Sequence, residues 1–461
     1  MKILYIGSGF VGACSAAVSA DSGHDVLVYD IDQEKISKLG SGDYNQIQSC
    51  LFEEGLADLI LRNRERIDFV SDYEGVDNFL GESDAIFMCL PTPEIGETGE
   101  SDLSYYFSAA EKLSEGLVKR NGGEQNKYVV VVNKSTVPIE MAARTEELMN
   151  QKGVKNFGVV SNPEFLVEGK AIAGSLEPDR VVVGARSEKD FEIMRILYQR
   201  FYSSPTVEYL EVGPEEAAAG KLLANFILFS KLATCFDVLG RTCESFSGLQ
   251  FENIRKILSS DKRIGGWGLY NSLYAGGSCF IKDSRSLMYQ LSGVGQDVSL
   301  VEEIYQSNHR QLDNFLARAQ KDGGIDWKDK NIALLGVAFK RDTNDIRNSA
   351  SIEIVKFLLE KKVGQVNIYD PAALVWFKEL FPESDVIKYC SNEAMAIEQS
   401  DVVIIATDWP QFRELDKVLL SSEKKPLIMD GRRILSHQYN ELQDAGYNII
   451  AVGSPFLKSK K

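Results

Sequence analysis

A chain of 461 residues is too long for one ordinary core, so two or three domains are expected; 44% hydrophobic and 26% charged residues is the make-up of a globular protein. The net charge of −16 argues against nucleic acid or an anionic membrane as the main partner, though local basic residues can still hold an anionic small ligand. Seven cysteines in odd number, without CxxC pairs, point to thiols in a reducing, cytoplasmic setting, and three scattered histidines (His24, His309, His437) argue against a metal site.

The apolar N-terminus carries three glycines in its first dozen residues and runs straight into a second strand, which is unlike a secretion signal. No run of about twenty apolar residues is apparent, so no membrane helix is expected.

The first predicted strand, Lys2 to Ile6, is followed at once by Gly7-Ser8-Gly9-Phe10-Val11-Gly12, an alanine-rich helix to about Ser22, and a strand from Asp25 to Tyr29 ending at Asp30. Strand, Gly-x-Gly-x-x-Gly, helix, strand, acid is the dinucleotide-binding order. Gly7 permits the tight turn, Gly9 admits the pyrophosphate, Gly12 lets helix and strand pack closely, and the helix start faces the phosphates. Asp30 is placed for the adenosine ribose hydroxyls and would repel a 2′-phosphate, which favours NAD over NADP.

Further apolar runs at Ala85 to Leu90, Tyr128 to Asn133, Gly158 to Ser161 and Arg180 to Gly184 read as parallel strands covered on both faces. Pro91-Thr92-Pro93, Lys134-Ser135-Thr136-Val137-Pro138 and Asn162-Pro163-Glu164-Phe165-Leu166 follow the first three of these runs. Those are the ligand-binding ends of an open α/β sheet. Each loop alone reads first as a helix cap, and it is the three together that point to a ligand edge. A carboxylate there, Glu164, can position or deprotonate water.

From Glu215 to about Ser245 one long helix is expected, with an apolar stripe of Phe229, Leu232, Phe236 and Leu239 suited to core or subunit contact. Lys221 and Asn225 stand one turn apart on it, a donor pair suited to an oxygen that becomes negative, or a lysine on a solvated face. Next come Arg263 and the run Gly276 to Asp283, GGSCFIKD, then a helix from about Ser299 to Gln320. A helix starting near Cys279 favours its thiolate, as does Lys282, and sets Asp283 on the same face. By itself Cys279 reads first as a small buried hydrophobe, as most unpaired cysteines are.

Strands at Asn331 to Leu335, Gln365 to Tyr369, Val402 to Thr407 and Leu427 to Met429 give a second parallel sheet. Lys340, Arg341, Arg347, Arg432 and Arg433 lie in its loops, placed for an anionic ligand or as scattered surface charge. The fold class is therefore α/β: two Rossmann-like parallel-sheet domains joined by a central helical segment with one long helix. The divisions fall at 1–210, 211–325 and 326–461.

Taken in this order, the motifs resemble the nucleotide-sugar 6-dehydrogenases, the UDP-glucose/GDP-mannose dehydrogenase family, over nearly the whole chain. The resemblance rests on Gly7-x-Gly9-x-x-Gly12, Thr136, SNPEFLVEG (Ser161 to Gly169), Lys221-x-x-x-Asn225, Arg263, GGSCFIKD, Lys340 and Arg432. It implies four-electron oxidation of a sugar C6 alcohol to a carboxylate with two NAD in turn, through a thiohemiacetal and a thioester on Cys279. Lys221 and Asn225 would then steady the oxyanion, Glu164 would be the hydrolytic base, and Thr136 and Asp283 would hold water.

It further implies NAD contacts from Phe10, Val11, Lys35, Thr92 and Thr136 beside the glycines and Asp30. Substrate contacts would come from Glu164, Phe165, Leu166, Lys221, Asn225, Gly276, Lys340 and Arg432, and from Arg263 across a homodimer or higher homo-oligomer. Ser278 and Phe280 around the cysteine favour UDP-glucose, giving UDP-glucuronate, while GDP-mannose enzymes share the GGSC core. Gly268, Tyr274 and Ala275 depart from the family's usual residues in the loop before Gly276, where the sugar is expected to be chosen.

Overall fold

The computed structural model describes residues 1–121 and 127–461, and the chain folds as two compact units, Met1–Ala224 and Asn225–Lys461. The first unit is built on strands β1 Lys2–Ile6, β2 Asp25–Tyr29, β3 Ile67–Val70, β4 Ala85–Met88, β5 Val129–Asn133, β6 Phe157–Ser161, β7 Arg180–Gly184 and β8 Glu208–Val212. Their order in the sheet is β3-β2-β1-β4-β5-β6-β7-β8, so the chain starts in the middle and works outward. Ile3 and Tyr5 point into one apolar layer, with Ala13, Ala16 and Ala17 of the helix Phe10–Asp21. Leu4 and Ile6 point into the other, with Tyr106 and Leu113. Covering both faces is why these strands read as unbroken apolar runs.

Two strands correct the expectation of a parallel sheet: β7 runs antiparallel to β6, meeting it at Ser161 and Gly184, and β8 runs with β7. A parallel return needs a crossover long enough to span the sheet. The connection here holds only the short helix Ala171–Leu176. Strand β7 therefore lies beside the segment that follows β6: Asn162 Nδ2 donates to the Val182 carbonyl at 2.7 Å, and Arg180 lies 3.9 Å from the Phe165 ring centre.

The second unit carries β9 Asn331–Leu335, β10 Gln365–Tyr369, β11 Ile387–Tyr389, β12 Val402–Ile405, β13 Leu427–Asp430 and β14 Ile449–Ala451. They form one parallel sheet in the order β11-β10-β9-β12-β13-β14. Strands β3, β8, β11 and β14 were not expected. They are short edge or near-edge strands whose sequences lack a long apolar run.

The long helix is there, but as Pro214–Ala233, a π-helical stretch Thr234–Gly240, and Arg241–Ser245. By length and composition alone Pro214–Ser245 could cross a membrane, contrary to the expectation that no such span occurs. It has the marks of a core helix instead. Phe229, Leu232 and Phe236 are buried in the second unit, and the buried Asp237 pairs with Arg241 and Arg310 at 2.7 Å each.

Candidate active site

The turn after β1 is shaped by what surrounds it. Gly7 sits at φ 101°, and its N–H donates to the Tyr29 carbonyl at 2.8 Å. A Cβ on Gly7 would lie 2.2 Å from the Cys89 carbonyl oxygen, and one on Gly12 would lie 1.9 Å from the Gly7 carbonyl oxygen. Gly9 meets nothing within 4 Å, which leaves room for a phosphate to approach the backbone. No side chain caps the helix that starts at Phe10, so the amides of its first turn, Phe10 and Val11 among them, are left for an anion.

Asp30 accepts the Ser8 N–H and O–H at 2.7 Å each through Oδ2, and the Asp32 N–H at 3.1 Å through Oδ1. A carboxylate has about four acceptor positions, so capacity remains for a ribose hydroxyl. Lys35 stands 4.0 Å from Asp30 and 3.5 Å from Asp32. Thr92 Oγ1 donates to the Thr136 carbonyl at 2.8 Å, joining two of the strand-end loops. A dinucleotide fits this cradle.

Glu164 and Lys221 form a buried ion pair, Oε1 to Nζ, at 3.2 Å. The second carboxylate oxygen of Glu164 accepts the Leu166 N–H, and Lys221 Nζ lies 5.2 Å from the Phe165 ring centre. Beside the pair is a cavity of about 10 Å³ lined by Asn133, Thr136, Ser161, Pro163 and Lys221. Among the described residues, Asn133 Nδ2 and Ser161 Oγ have no hydrogen-bond partner there, and the space suits one water. On the other side of Glu164 and Phe165 lies a cavity of about 380 Å³, bounded also by Ser19, Lys134 and Phe201.

Two buried charged groups that bond the stretch around Glu164, at Asn162 and at Gly169 to Ile172, escaped sequence reasoning. Lys134, 8% exposed, donates to Asn162 Oδ1 at 2.9 Å, and the Tyr198 hydroxyl donates to the same oxygen at 2.5 Å. Burial pushes the Lys134 ammonium down to about 8. The buried carboxylate of Glu53 accepts the N–H groups of Gly169 at 2.8 Å, of Ala171, and of Ile172 at 3.4 Å. A lysine at the end of a buried strand was the one available signal.

In the second unit, Gly276 and Gly277 turn the chain tightly. A Cβ on Gly276 would lie 2.4 Å from the Asn348 carbonyl oxygen, and one on Gly277 (φ 95°) would lie 2.8 Å from the Phe339 ring. Cys279 is the N-cap of the helix Phe280–Gly293, exposed, with Ser278 Oγ 3.6 Å from its sulfur. The Asp283 N–H donates to the Cys279 carbonyl at 2.8 Å. The Asp283 carboxylate, 1% exposed, takes Asn225 Nδ2 on one oxygen and Lys282 Nζ on the other, at 2.6 Å each. Lys282, expected beside the thiol, places its ammonium on Asp283.

Arg432 donates to the carbonyls of Ala406 (2.7 Å) and Phe339 (2.8 Å), and Lys340 Nζ lies 5.5 Å from the Phe339 ring centre. Phe339 thus links these two cations to the cysteine turn. Arg341 and Arg347 face acids, at Asp342 and Asp408 and at Asp345. Arg263 stands apart, its side chain 90% exposed and paired with Asp261. Tyr274 and Ala275 are buried, with Asn308 bonded to both backbone groups of Ala275. The residues singled out in the sequence thus fall into two sets, one in each unit.

Three family models cover the chain: the NAD binding domain of the UDP-glucose/GDP-mannose dehydrogenase family over residues 1–202, its central domain over 215–310 and its UDP binding domain over 333–437. The UDP-glucose 6-dehydrogenase TuaD of Bacillus subtilis is 33% identical across 99% of this chain and 94% of its own length. The UDP-glucose 6-dehydrogenase of Pseudomonas aeruginosa is 31% identical across 99% and 98%. Among solved structures, a UDP-glucose dehydrogenase from Pyrobaculum islandicum superposes with a TM-score of 0.84 at 27% identity over 95% of each chain. The chain belongs to the UDP-glucose/GDP-mannose dehydrogenase family of NAD-dependent oxidoreductases.

Proposed function

We propose that this chain oxidises the C6 alcohol of UDP-glucose to the carboxylate of UDP-glucuronate, working as a cytoplasmic homo-oligomer. The observation that carries the reading is the Cys279 thiol, exposed at the head of a helix whose next turn bears the Asn225–Asp283 pair. Alcohol, water and two NAD⁺ give carboxylate, two NADH and three protons. Bound NAD supplies the hydride acceptor, one molecule for each oxidation.

The protein's part is to make the second oxidation possible. An aldehyde has no second hydride to release until a nucleophile adds to it, and the Cys279 thiolate is suited to that addition. The adduct's oxygen gains negative charge, which Lys221 and Asn225 would offset. Asn225 has a second N–H on the amide that already grips Asp283. Loss of the second hydride leaves an acyl group on sulfur. Glu164 then takes a proton from water as the water attacks the acyl carbon and the thiolate leaves. Thr136, beside a cavity of water size, and Asp283 would hold that water. Lys340 and Arg432 would bind the substrate in the region that carries the UDP-domain match, and Arg263, free of burial, would serve a neighbouring subunit.

The test is NADH formation across a panel of nucleotide sugars. UDP-glucose should give the highest kcat/KM and two NADH per sugar, and Cys279→Ser should abolish steady turnover. A better rate with GDP-mannose would replace the substrate. One NADH per sugar, or turnover surviving Cys279→Ser, would remove the thioester route.

A further inference from the structure

We propose that Lys134 and Glu53 are positioning residues that hold the segment Asn162–Gly169 at its two ends and thereby set the place of the Glu164 carboxylate; the proposal rests on Glu164 being the base of the hydrolytic step. The segment has no helix or strand of its own from Asn162 to Val167. Behind Glu164, Phe165, Leu166 and Val167 lies the cavity of about 380 Å³, so close packing does not fix them from that side. Within the segment Glu164 is held by Lys221 and the Leu166 N–H; the backbone that carries it is held by the bonding at its ends.

At the upstream end Asn162 is 1% exposed, and its N–H and both polar atoms of its side chain are bonded. Its N–H donates to the Asn133 carbonyl at 2.9 Å, its amide Nδ2 to the Val182 carbonyl at 2.7 Å, and its Oδ1 accepts Lys134 and Tyr198. At the downstream end the Glu53 carboxylate gathers the amides of Gly169, Ala171 and Ile172. Bonds with one charged partner are about twice as strong as neutral ones, and both ends have one.

The Lys134 charge is not explained by stability. The Lys134 ammonium has three donors and, among the described residues, one acceptor, Asn162 Oδ1. A buried cation so sparsely bonded costs free energy, and a methionine would fill the same volume without that cost. A residue kept against that cost fits a demand for geometry. Displacing a reacting group by about 1 Å can slow a step roughly 100-fold.

The experiment compares Lys134→Met, Glu53→Gln and Glu164→Gln in the full-length protein with UDP-glucose and NAD, by stopped-flow NADH absorbance and intact-protein mass. If the clamps act as proposed, all three variants release two NADH per active site at the unaltered rate. Their later turnover then falls about 10- to 100-fold, and the sugar acyl group accumulates on Cys279. A purely structural role would lower the burst and the steady rate together, and that result overturns the proposal, as does an unchanged steady rate. A burst in Glu164→Gln with none in the other two removes the clamps alone. Turnover without a burst in Glu164→Gln removes the hydrolysis reading on which they rest. Should Lys134→Met fail to fold, the isosteric Glu53→Gln carries the test.

Discussion

Both sheets open with the same local device. In the first unit Gly7 follows β1, donates its N–H to the Tyr29 carbonyl at 2.8 Å, and Asp30 comes next in the chain after Tyr29; in the second, Gly336 follows β9, donates to the Tyr369 carbonyl at 2.8 Å, and Asp370 comes next after Tyr369. Both glycines have positive φ, 101° and 90°. The acids then part ways. Asp30 bonds Ser8 and Asp32 and keeps capacity at a partly exposed edge. Asp370 is 2% exposed and takes five donors: the amides of Val337, Ala338, Ala372 and Ala373 and the Trp409 indole. One carboxylate keeps unused acceptor positions; the other is spent on its own loops. An order of strand, glycine, helix, strand and acid therefore locates a turn, and the acid's unused acceptors decide whether it is a binding site.

The sharpest way to break this comparison is to remove the spent acid. Asp370→Ala strands five buried donors and should lower unfolding free energy by about 4 kcal/mol or more, read from the denaturant midpoint. A loss under about 1 kcal/mol would show that those bonds do not hold the second sheet together.

The contrast extends to the next strand end, where β5 is followed by the thinly bonded Lys134 while β13 ends in Asp430, saturated by three amides and the Tyr439 hydroxyl. Lys134 is held down to about 8 in the fold by burial. The unfolded chain keeps its proton to about 10.4, so between those values the unfolded state binds more protons and stability rises with pH. The wild-type chain should gain up to about 3 kcal/mol relative to Lys134→Met from pH 8 to 10.5. Equal pH profiles would mean that the ammonium is solvated.

The smallest effect sharpens the first unit's side. Asp30→Ala strands the buried Ser8 donors and should lower unfolding free energy by about 1–3 kcal/mol, less than Asp370→Ala, and weaken NADH binding, followed by fluorescence titration, by roughly tenfold. A fall in stability as large as that of Asp370→Ala would place Asp30 in the class of Asp370.

What the sequence made legible was whatever is local along the chain. Gly7 to Asp30 could be read because strand, turn and acid are contiguous, and GGSCFIKD because thiol, lysine and aspartate fall within two turns. Lys134, Asn162, Tyr198 and Glu53 could not be read together, since only the sheet order and the short return to β7 bring them to one segment. The four unexpected strands were hidden for another reason: sequences such as Ile-Asp-Phe-Val and Glu-Tyr-Leu-Glu-Val take their pairing from a neighbour more than from their own pattern. The π stretch at Thr234–Gly240 leaves no mark in a three- and four-residue periodicity.

The place of Cys279 has a consequence at the bench. Burial pushes the thiols of Cys14, Cys50, Cys89, Cys235, Cys243 and Cys390 upward, and none of those six is exposed. Cys279 alone stands in solvent at a helix start. An alkylating reagent meeting the folded chain at neutral pH should therefore react first at Cys279, and the label consumed per chain in that first phase should be one.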